Sequence, residues 1–364
     1  MFVKRPSAHT KWVPALARPS DAITPSDTAL IRAKFPKAPD GGVYVDAVFE
    51  GGGVKGLAFV GALRCFDDAG IRMRKVAGTS AGAITAASVA AGLGMDELET
   101  SLGGFDFASL LSRKTRSWWP FWGGSSMSGL GMASTIVGLV LSGTTGRYSS
   151  GPLLDWVTAL LKGRLDTFAA AQSGADWHEQ RDLRVVVTDI SAGEIRVLPN
   201  DLALYQADRE TFSVAEAVRL SMSIPFFFEP GRLGDSVVVD GGVLSSFPLW
   251  MYDKPAGVVP MCPTIGFMVS DRSSGYGDIE TAADMVGALV GTMALAADRK
   301  YARDHDQHRI VRIDTLGVEA TRFTLDDATK TALYRSGYAA AKHFLMEGWD
   351  WEVYLASRAE AAKL

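Results

Sequence analysis

The chain has 364 residues, of which 47% are hydrophobic and 21% are charged, and its formal net charge is −4. This composition is typical of a globular protein with one large domain or two, and it excludes a disordered chain. Because binding to nucleic acid by bulk charge needs an excess of basic residues, we expect no nucleic-acid partner.

The two cysteines, Cys65 and Cys262, are too few for a disulfide framework or a self-contained zinc site. Each lies in an apolar stretch, which is typical of a buried thiol. No apolar run reaches the roughly 18 residues of a membrane-spanning helix, and prolines interrupt residues 1–30, so neither a span nor a signal peptide is predicted. We therefore expect a cytoplasmic protein.

The chain begins with a proline-rich segment, residues 1–40, which holds six of the fifteen prolines. We expect an extended arm with little regular structure before residue 42. The pattern then changes. Residues 43–49 are mostly apolar and partly β-branched, and after a run of glycines residues 57–68 carry apolar side chains at helical spacing. This order predicts a strand, a glycine loop and a helix.

A second strand-loop-helix unit follows, with a strand at 74–77 and an alanine-rich helix at 81–95. Two such units in succession predict an α/β fold with a mainly parallel sheet. The later predicted strands are 183–188, 194–198, 237–239 and 264–269, and the later predicted helices are 213–221, 281–303 and 326–347.

Residues 104–150 stand apart because they hold seven aromatic residues and four basic residues but only one acidic residue. Tryptophan beside cationic side chains suits the boundary between lipid headgroups and acyl chains. We expect an apolar, aromatic-rich cap that contacts a membrane or covers a substrate. The alternative is an insertion that packs its aromatic rings onto the core. The predicted contact residues of the cap are Trp118, Trp119, Phe121 and Trp122.

The first motif that indicates chemistry is G-T-S-A-G at residues 78–82, between a predicted strand and a predicted helix. This context is typical of a nucleophile elbow, in which small residues allow a sharp turn that exposes the serine hydroxyl. The motif predicts Ser80 as a nucleophile, with Gly78 and Gly82 as supporting residues. By itself the match is weak, because a glycine-rich chain can contain it by chance.

The second motif is the glycine-rich segment at residues 50–56, which reads E-G-G-G-V-K-G. Unhindered main-chain N–H groups at a strand end can converge on a negative oxygen, so this segment predicts an oxyanion hole. A dinucleotide site stays open as an alternative, because the glycines also satisfy G-x-G-x-x-G, but the serine motif downstream favours the oxyanion interpretation. The predicted donors are the N–H groups of Gly51, Gly52, Gly53 and Ala81, and Gly56 is a supporting residue.

The third motif is D-G-G at residues 240–242, which follows a β-branched strand. Alone it is more typical of an ordinary Asp-Gly turn. In a parallel sheet, however, strand carboxyl ends share one edge, so we expect Asp240 to lie beside Ser80 and to act as its base. Gly241 and Gly242 are the supporting residues. A nucleophile, oxyanion donors and a base together form a complete set for acyl transfer.

At this point the sequence resembles the patatin-like phospholipase family. The resemblance runs from about residue 43 to residue 344 and rests on the three motifs together. The segments 217–225 and 148–157 also resemble family segments. One departure is visible: family members often carry an asparagine between D-G-G and the following proline, whereas residues 243–247 read V-L-S-S-F.

The resemblance implies a three-layer α/β/α fold, a Ser80–Asp240 dyad without a catalytic histidine, and no metal or cofactor. It implies residues 41–350 as the catalytic domain and residues 351–364 as a C-terminal tail. The implied activity is hydrolysis of carboxylic esters of phospholipids or lysophospholipids through an acyl-enzyme, with peripheral contact to a membrane. An acyltransferase with the same serine, or a non-catalytic membrane-binding effector module, stays open. The sequence predicts no oligomeric state.

Two other assignments stay open. Lys55, inside the glycine loop, either attracts a lipid phosphate or steadies the loop, and surface decoration explains it equally well. His305 and His308 follow Asp240 in the order of ordinary α/β-hydrolase triads. Both lie in a strongly charged run that is typical of a solvated helix end, so the histidine-free interpretation is favoured.

Overall fold

A computed structural model describes residue 12 and residues 18–113, 145–172, 181–255, 257–269, 304–320 and 322–361. The four predicted contact residues of the cap and the predicted helix at 281–303 lie outside the described residues.

Most of the described strands belong to one large sheet. In chain order the strands are β1 (Val43–Phe49), β2 (Ile71–Thr79), β3 (Ser112–Arg113), β4 (Gly146–Ser149), β5 (Leu183–Asp189), β6 (Glu194–Leu198), β7 (Phe226–Phe228), β8 (Gly231–Leu233), β9 (Ser236–Asp240), β10 (Thr264–Met268) and β11 (Ile310–Arg312). The large sheet has the order β11-β10-β1-β2-β5-β9-β8, and β6 also pairs with β5. Strands β3, β4 and β7 form a smaller sheet.

The centre of the large sheet is parallel, because β11, β10, β1, β2 and β5 pair in the same direction. Strands β6 and β9 pair antiparallel with β5 on its two opposite sides, and β8 pairs antiparallel with β9. A mixed α/β fold with a mainly parallel central sheet is therefore confirmed.

The described α-helices lie between and after these strands. They are α1 (Pro25–Ala33), α2 (Leu57–Asp68), α3 (Ala81–Ala90), α4 (Met95–Leu98), α5 (Gly151–Leu161), α6 (Val214–Ser221), α7 (Asp327–His343) and α8 (Trp351–Ala361). The predicted bounds of β1, α2 and β6 agree with the structure. The predicted helix at 81–95 ends at residue 90, just before Gly92, whose φ of 70° does not continue a right-handed helix.

Apolar side chains cover both faces of the sheet, which explains why its central strands read as nearly continuous apolar runs. In β1, for example, Val45, Ala47 and Phe49 belong to a large core that includes residues of α2, α3, α6 and α7. Val48 belongs to a smaller core on the opposite side, to which the short segment Leu249–Tyr252 contributes.

Helices α2 and α7 pack unusually closely. A Cβ atom added to Gly61 would lie 1.9 Å from the carbonyl oxygen of Tyr334, and one added to Gly337 would lie 1.9 Å from that of Ala58. Only glycine fits at both crossing points. The two helices therefore form a tightly packed pair on one face of the sheet.

The N-terminal segment differs from the expectation of an extended arm, because residues 25–33 form helix α1. Thr24 and Asp27 form a capping box, and Pro25 stands in the first turn, where its missing N–H is no loss. Ile31 is completely buried, so burial stabilises the helix. Pro25, one of the prolines that suggested an extended chain, instead stands at the start of a helix.

The segment assigned to a C-terminal tail is also structured. Residues 351–361 form helix α8, and Tyr354 in this helix is 1% exposed. Its hydroxyl accepts a hydrogen bond from the N–H of Thr264, the first residue of β10. Helix α8 therefore contacts the start of β10 in the large sheet.

Candidate active site

Ser80 occupies a strained turn between β2 and α3. Its φ is 54° and its ψ is −125°, a conformation that residues other than glycine rarely adopt. The turn requires glycines on both sides: a Cβ atom on Gly78 would lie 2.2 Å from the carbonyl carbon of Gly82, and one on Gly82 would lie 2.4 Å from the carbonyl oxygen of Phe49. This is the geometry that the G-T-S-A-G motif predicts for a nucleophile elbow.

Asp240 lies beside Ser80, but not for the reason that the sequence suggested. Strand β9 runs antiparallel to β5, so the rule about carboxyl ends of parallel strands does not apply. The register decides instead. Thr79 is opposite Val186, and the next residue of β5, Val187, is opposite Asp240. Strand β9 therefore continues along the side of β5 where β2 ends, and Asp240 comes next to Ser80, the residue after Thr79.

Burial raises the pKa of Asp240 to about 6, against the lowering effect of the neighbouring Ser80 side chain and of the N–H of Gly242. The Gly242 N–H lies 2.7 Å from Oδ1. The second oxygen, Oδ2, is buried and has no partner of good hydrogen-bond geometry among the described residues. The Ser80 hydroxyl is thus within electrostatic reach of the carboxylate without an aligned hydrogen bond, an arrangement common in catalytic pairs without substrate.

The glycine loop lies directly against the elbow. A Cβ atom on Gly51 would lie 3.4 Å from the Cβ of Ser80, and one on Gly56 would lie 3.1 Å from the Cβ of Ala81. Gly53 has a φ of 54° and packs so tightly on Ala320 that an added Cβ would lie 2.0 Å from its carbonyl oxygen. The loop therefore has to be glycine-rich both for its backbone angles and for its close contacts.

One predicted oxyanion donor is corrected by these contacts. The N–H of Gly51 donates to the carbonyl oxygen of Ser246 at 2.8 Å, so it is already used. The N–H groups of Gly52, Gly53 and Ala81 have no acceptor within the part of the chain that the structure describes. Ala81 begins α3, where the first N–H groups of a helix are unpaired and the helix dipole is positive.

Comparison with known proteins agrees with this geometry. The family model described as patatin-like phospholipase matches residues 47–252, which include all three motifs. The chain belongs to the patatin-like phospholipase family. Membership of this family supports an enzyme that hydrolyses lipid esters.

Relatives and a solved structure extend the comparison. The uncharacterised protein YqhO of Bacillus subtilis is 34% identical over 312 residues, which cover 84% of this chain and 99% of YqhO. The uncharacterised NTE family protein Rv2565 of Mycobacterium tuberculosis is 28% identical over 55% of this chain and 27% of its own length. The crystal structure of VipD from Legionella pneumophila has a TM-score of 0.52 at 17% identity and covers 87% of this chain and 71% of VipD. The likeness to VipD shows the patatin-like fold.

A small apolar pocket opens beside the elbow of this patatin-like protein. It begins at the glycine loop and the start of α3 and continues between apolar side chains. Its lining includes Gly53, Ala81, Ile84, Leu102, Met222 and Phe323. Its volume is about 20 Å³, so it forms a shallow apolar patch beside the elbow and does not enclose an acyl chain.

Three hydroxyl-bearing residues support the site and were not singled out from the sequence. Thr79 donates to the carbonyl oxygen of Ser245 at 3.1 Å, and Thr188 donates to that of Gly241 at 3.3 Å. Ser221 accepts from the N–H of Ser80 at 2.9 Å. Ser221 lies in the segment 217–225, whose resemblance to the family is the sequence feature that could have pointed to it. Its role, however, depends on contacts with residues distant in sequence.

The remaining predictions concern side chains around the site. His308 shares a hydrogen bond of 2.8 Å with Ser357 of α8, which gives it a structural partner away from the motifs. Lys55 lies in the short helix Gly53–Gly56, and its role stays a prediction. Among the described residues, no cluster of histidine, cysteine and acidic side chains is arranged to hold a metal ion. None of the helices in the described ranges has the length and apolar character needed to cross a bilayer.

Proposed function

We propose that the protein is a lipid acyl hydrolase that cleaves carboxylic esters of phospholipids or lysophospholipids through Ser80 and Asp240. The observation that carries this proposal is the pairing of a serine at a positive-φ elbow with a buried carboxylate of pKa about 6. At neutral pH such a carboxylate is mostly ionised, yet it is more basic than an ordinary aspartate. It is therefore suited to take a proton from the Ser80 hydroxyl.

In the first step the Ser80 Oγ attacks the ester carbonyl carbon as its proton passes to Asp240. The carbonyl oxygen becomes negative, and the unused N–H groups of Gly52, Gly53 and Ala81 are the donors that stabilise it. Because carboxylate is a weaker base than imidazole, these donors have to supply much of the rate. The ester bond then breaks, and Asp240 returns the proton to the departing alcohol oxygen.

In the second step water attacks the acyl-enzyme carbonyl. Asp240 accepts a proton from this water, the same N–H groups stabilise the second oxyanion, and the Ser80 Oγ leaves as a hydroxyl when Asp240 gives the proton back. The products are a fatty acid and a lysophospholipid or its deacylated form. The apolar lining beside Ala81 provides hydrocarbon surface next to the elbow, which favours an apolar acyl group there over a polar one.

The proposed substrate lies in a membrane, so the proposal includes peripheral membrane contact by a cytoplasmic protein. Trp118, Trp119, Phe121 and Trp122 remain the predicted contact residues. Replacement of all four by serine should weaken binding to phospholipid vesicles and leave cleavage of a soluble short-chain ester unchanged.

Product analysis tests the proposed reaction directly. Wild type and Ser80→Ala are incubated with a mixed membrane extract, and lipids are identified by mass spectrometry. We expect fatty acid and lysophospholipid from wild type alone, and labelling of wild type but not Ser80→Ala by a fluorophosphonate probe. Acyl transfer to an added alcohol in preference to water would favour the acyltransferase. Equal labelling or equal products from Ser80→Ala would contradict the proposal.

A further inference from the structure

The hydroxyl of Ser221 is a buried polar group that the proposed reaction does not use. Ser221 is the last residue of α6 and is completely buried. Its Oγ accepts a hydrogen bond from the main-chain N–H of Ser80 at 2.9 Å and donates one to the carbonyl oxygen of Val186 at 2.6 Å. One side chain therefore joins the elbow, the end of a helix and the central strand β5.

The two hydrogen bonds fix the direction of this hydroxyl. A serine has a single hydroxyl proton, and here that proton is donated in the hydrogen bond to the carbonyl oxygen of Val186. A lone pair is therefore left to face the N–H of Ser80. This matters because Ser80 has a positive φ that its own side chain disfavours, and such conformations persist only where the surroundings hold them.

Val186 connects this contact to the carboxylate. Val186 is opposite Thr79, the residue before Ser80. The next residue of β5, Val187, is opposite Asp240. The carbonyl oxygen of Val186 also lies under the turn after Asp240, where a Cβ atom on Gly241 would approach it to 2.4 Å. Two hydrogen bonds thus connect the Ser80 N–H through the Ser221 hydroxyl to the Val186 carbonyl oxygen. This oxygen lies close to the Asp240–Gly241 turn.

We propose that Ser221 is a positioning residue, whose hydroxyl holds the Ser80 backbone so that the Ser80 Oγ stays within reach of Asp240. The inference rests on the proposed function for its catalytic consequence. Without the hydroxyl, the N–H of Ser80 loses its acceptor and the strained elbow can relax away from the carboxylate. A displacement of about 1 Å can lower a rate by about 100-fold.

The test compares Ser221→Ala with Ser88→Ala. Ser88 is an equally buried serine in α3, and the single hydrogen-bond partner of its hydroxyl among the described residues is the Ile84 carbonyl of its own helix, at 2.8 Å. With a soluble short-chain ester, we expect Ser221→Ala to lower kcat about 10- to 100-fold with KM within about twofold of wild type. Fluorophosphonate labelling of Ser80 should slow by a similar factor. Ser88→Ala should retain the wild-type kcat.

Amide hydrogen exchange gives a readout that does not depend on catalysis. We expect the Ser80 amide to exchange at least about tenfold faster in Ser221→Ala and at the wild-type rate in Ser88→Ala, because only the first variant removes its acceptor. If Ser221→Ala does not fold, Ser221→Cys serves in its place, since a thiol is a weak acceptor of similar size.

The outcomes separate the two proposals. Unchanged exchange at Ser80, or equal losses of kcat in Ser221→Ala and Ser88→Ala, would overturn the positioning role. A wild-type protein that cleaves no ester would overturn the proposed function alone, and the exchange experiment would still decide whether Ser221 holds the elbow.

Discussion

Two buried aspartates of the same sheet have opposite surroundings. Asp46 in β1 is 3% exposed and Asp240 at the end of β9 is 5% exposed. Burial raises the pKa of both carboxyl groups. Asp46, however, accepts two hydrogen bonds from the Arg74 guanidinium, at 3.1 and 2.9 Å, and a third from the N–H of Lys75.

Within the part of the chain that the structure describes, Asp240 has no such cationic partner. Its Oδ1 accepts one main-chain N–H, and no donor in the same ranges is aligned with its Oδ2. Burial alone therefore does not distinguish a structural carboxylate from a reactive one. A paired carboxylate stabilises the sheet, whereas a carboxylate with one free oxygen beside a serine can accept a proton.

The largest expected difference is in activity. Asp240→Asn removes the proposed base and should lower kcat by about 100- to 10,000-fold, the usual contribution of a general base. Asp46→Asn should retain the wild-type kcat per folded molecule. Steady-state kinetics on a soluble ester, corrected for the folded fraction, measure both. A similar kcat in the two variants would remove the distinction between the aspartates.

The second expected difference is in stability. Asp46→Asn removes the carboxylate that pairs at 2.9 Å with the Arg74 guanidinium, whose side chain is 10% exposed. Loss of one member of a buried ion pair costs about 3–5 kcal/mol. Denaturant unfolding at pH 7 should therefore show a clear decrease in the free energy of unfolding. A decrease below about 1 kcal/mol, the range of surface ion pairs, would mean that the pair contributes little.

Asp240→Asn should instead stabilise the protein above pH 6. In the folded state the pKa is raised from 3.8 to about 6, so ionisation opposes folding as the pH rises from about 4 to 6. A shift of about two units corresponds to on the order of 3 kcal/mol at pH 8. Melting curves of both proteins at pH 4 and pH 8 test this, because the gain should be present only at pH 8.

The smallest expected effect is on the pH profile. A base with a pKa of about 6 should make kcat/KM fall about tenfold for each unit below pH 6, since only the ionised form accepts the proton. His305→Ala and His308→Ala should retain this limb and most of the activity. A limb that disappears in either histidine variant would assign the base to histidine and refute the dyad.

Several elements and all three motifs could be recognised from the sequence because they depend on local patterns. Apolar periodicity predicts β1 and α2, and the glycines at 78 and 82 predict a sharp turn around Ser80. The same local logic fails at residues 25–33, where the proline-rich composition predicts an extended arm and the structure has a helix. There the capping box and the buried Ile31 are the deciding contributions.

Local sequence patterns are enough to recognise the three parts of the site: a serine in a tight turn, a glycine-rich loop and an aspartate after a strand. The contacts between these parts depend on the tertiary structure. The antiparallel direction of β9, its register against β5, the use of the Gly51 N–H by Ser246 and the link through Ser221 all join residues far apart in the chain. Strand order and register depend on packing across the whole sheet, so no local pattern encodes them.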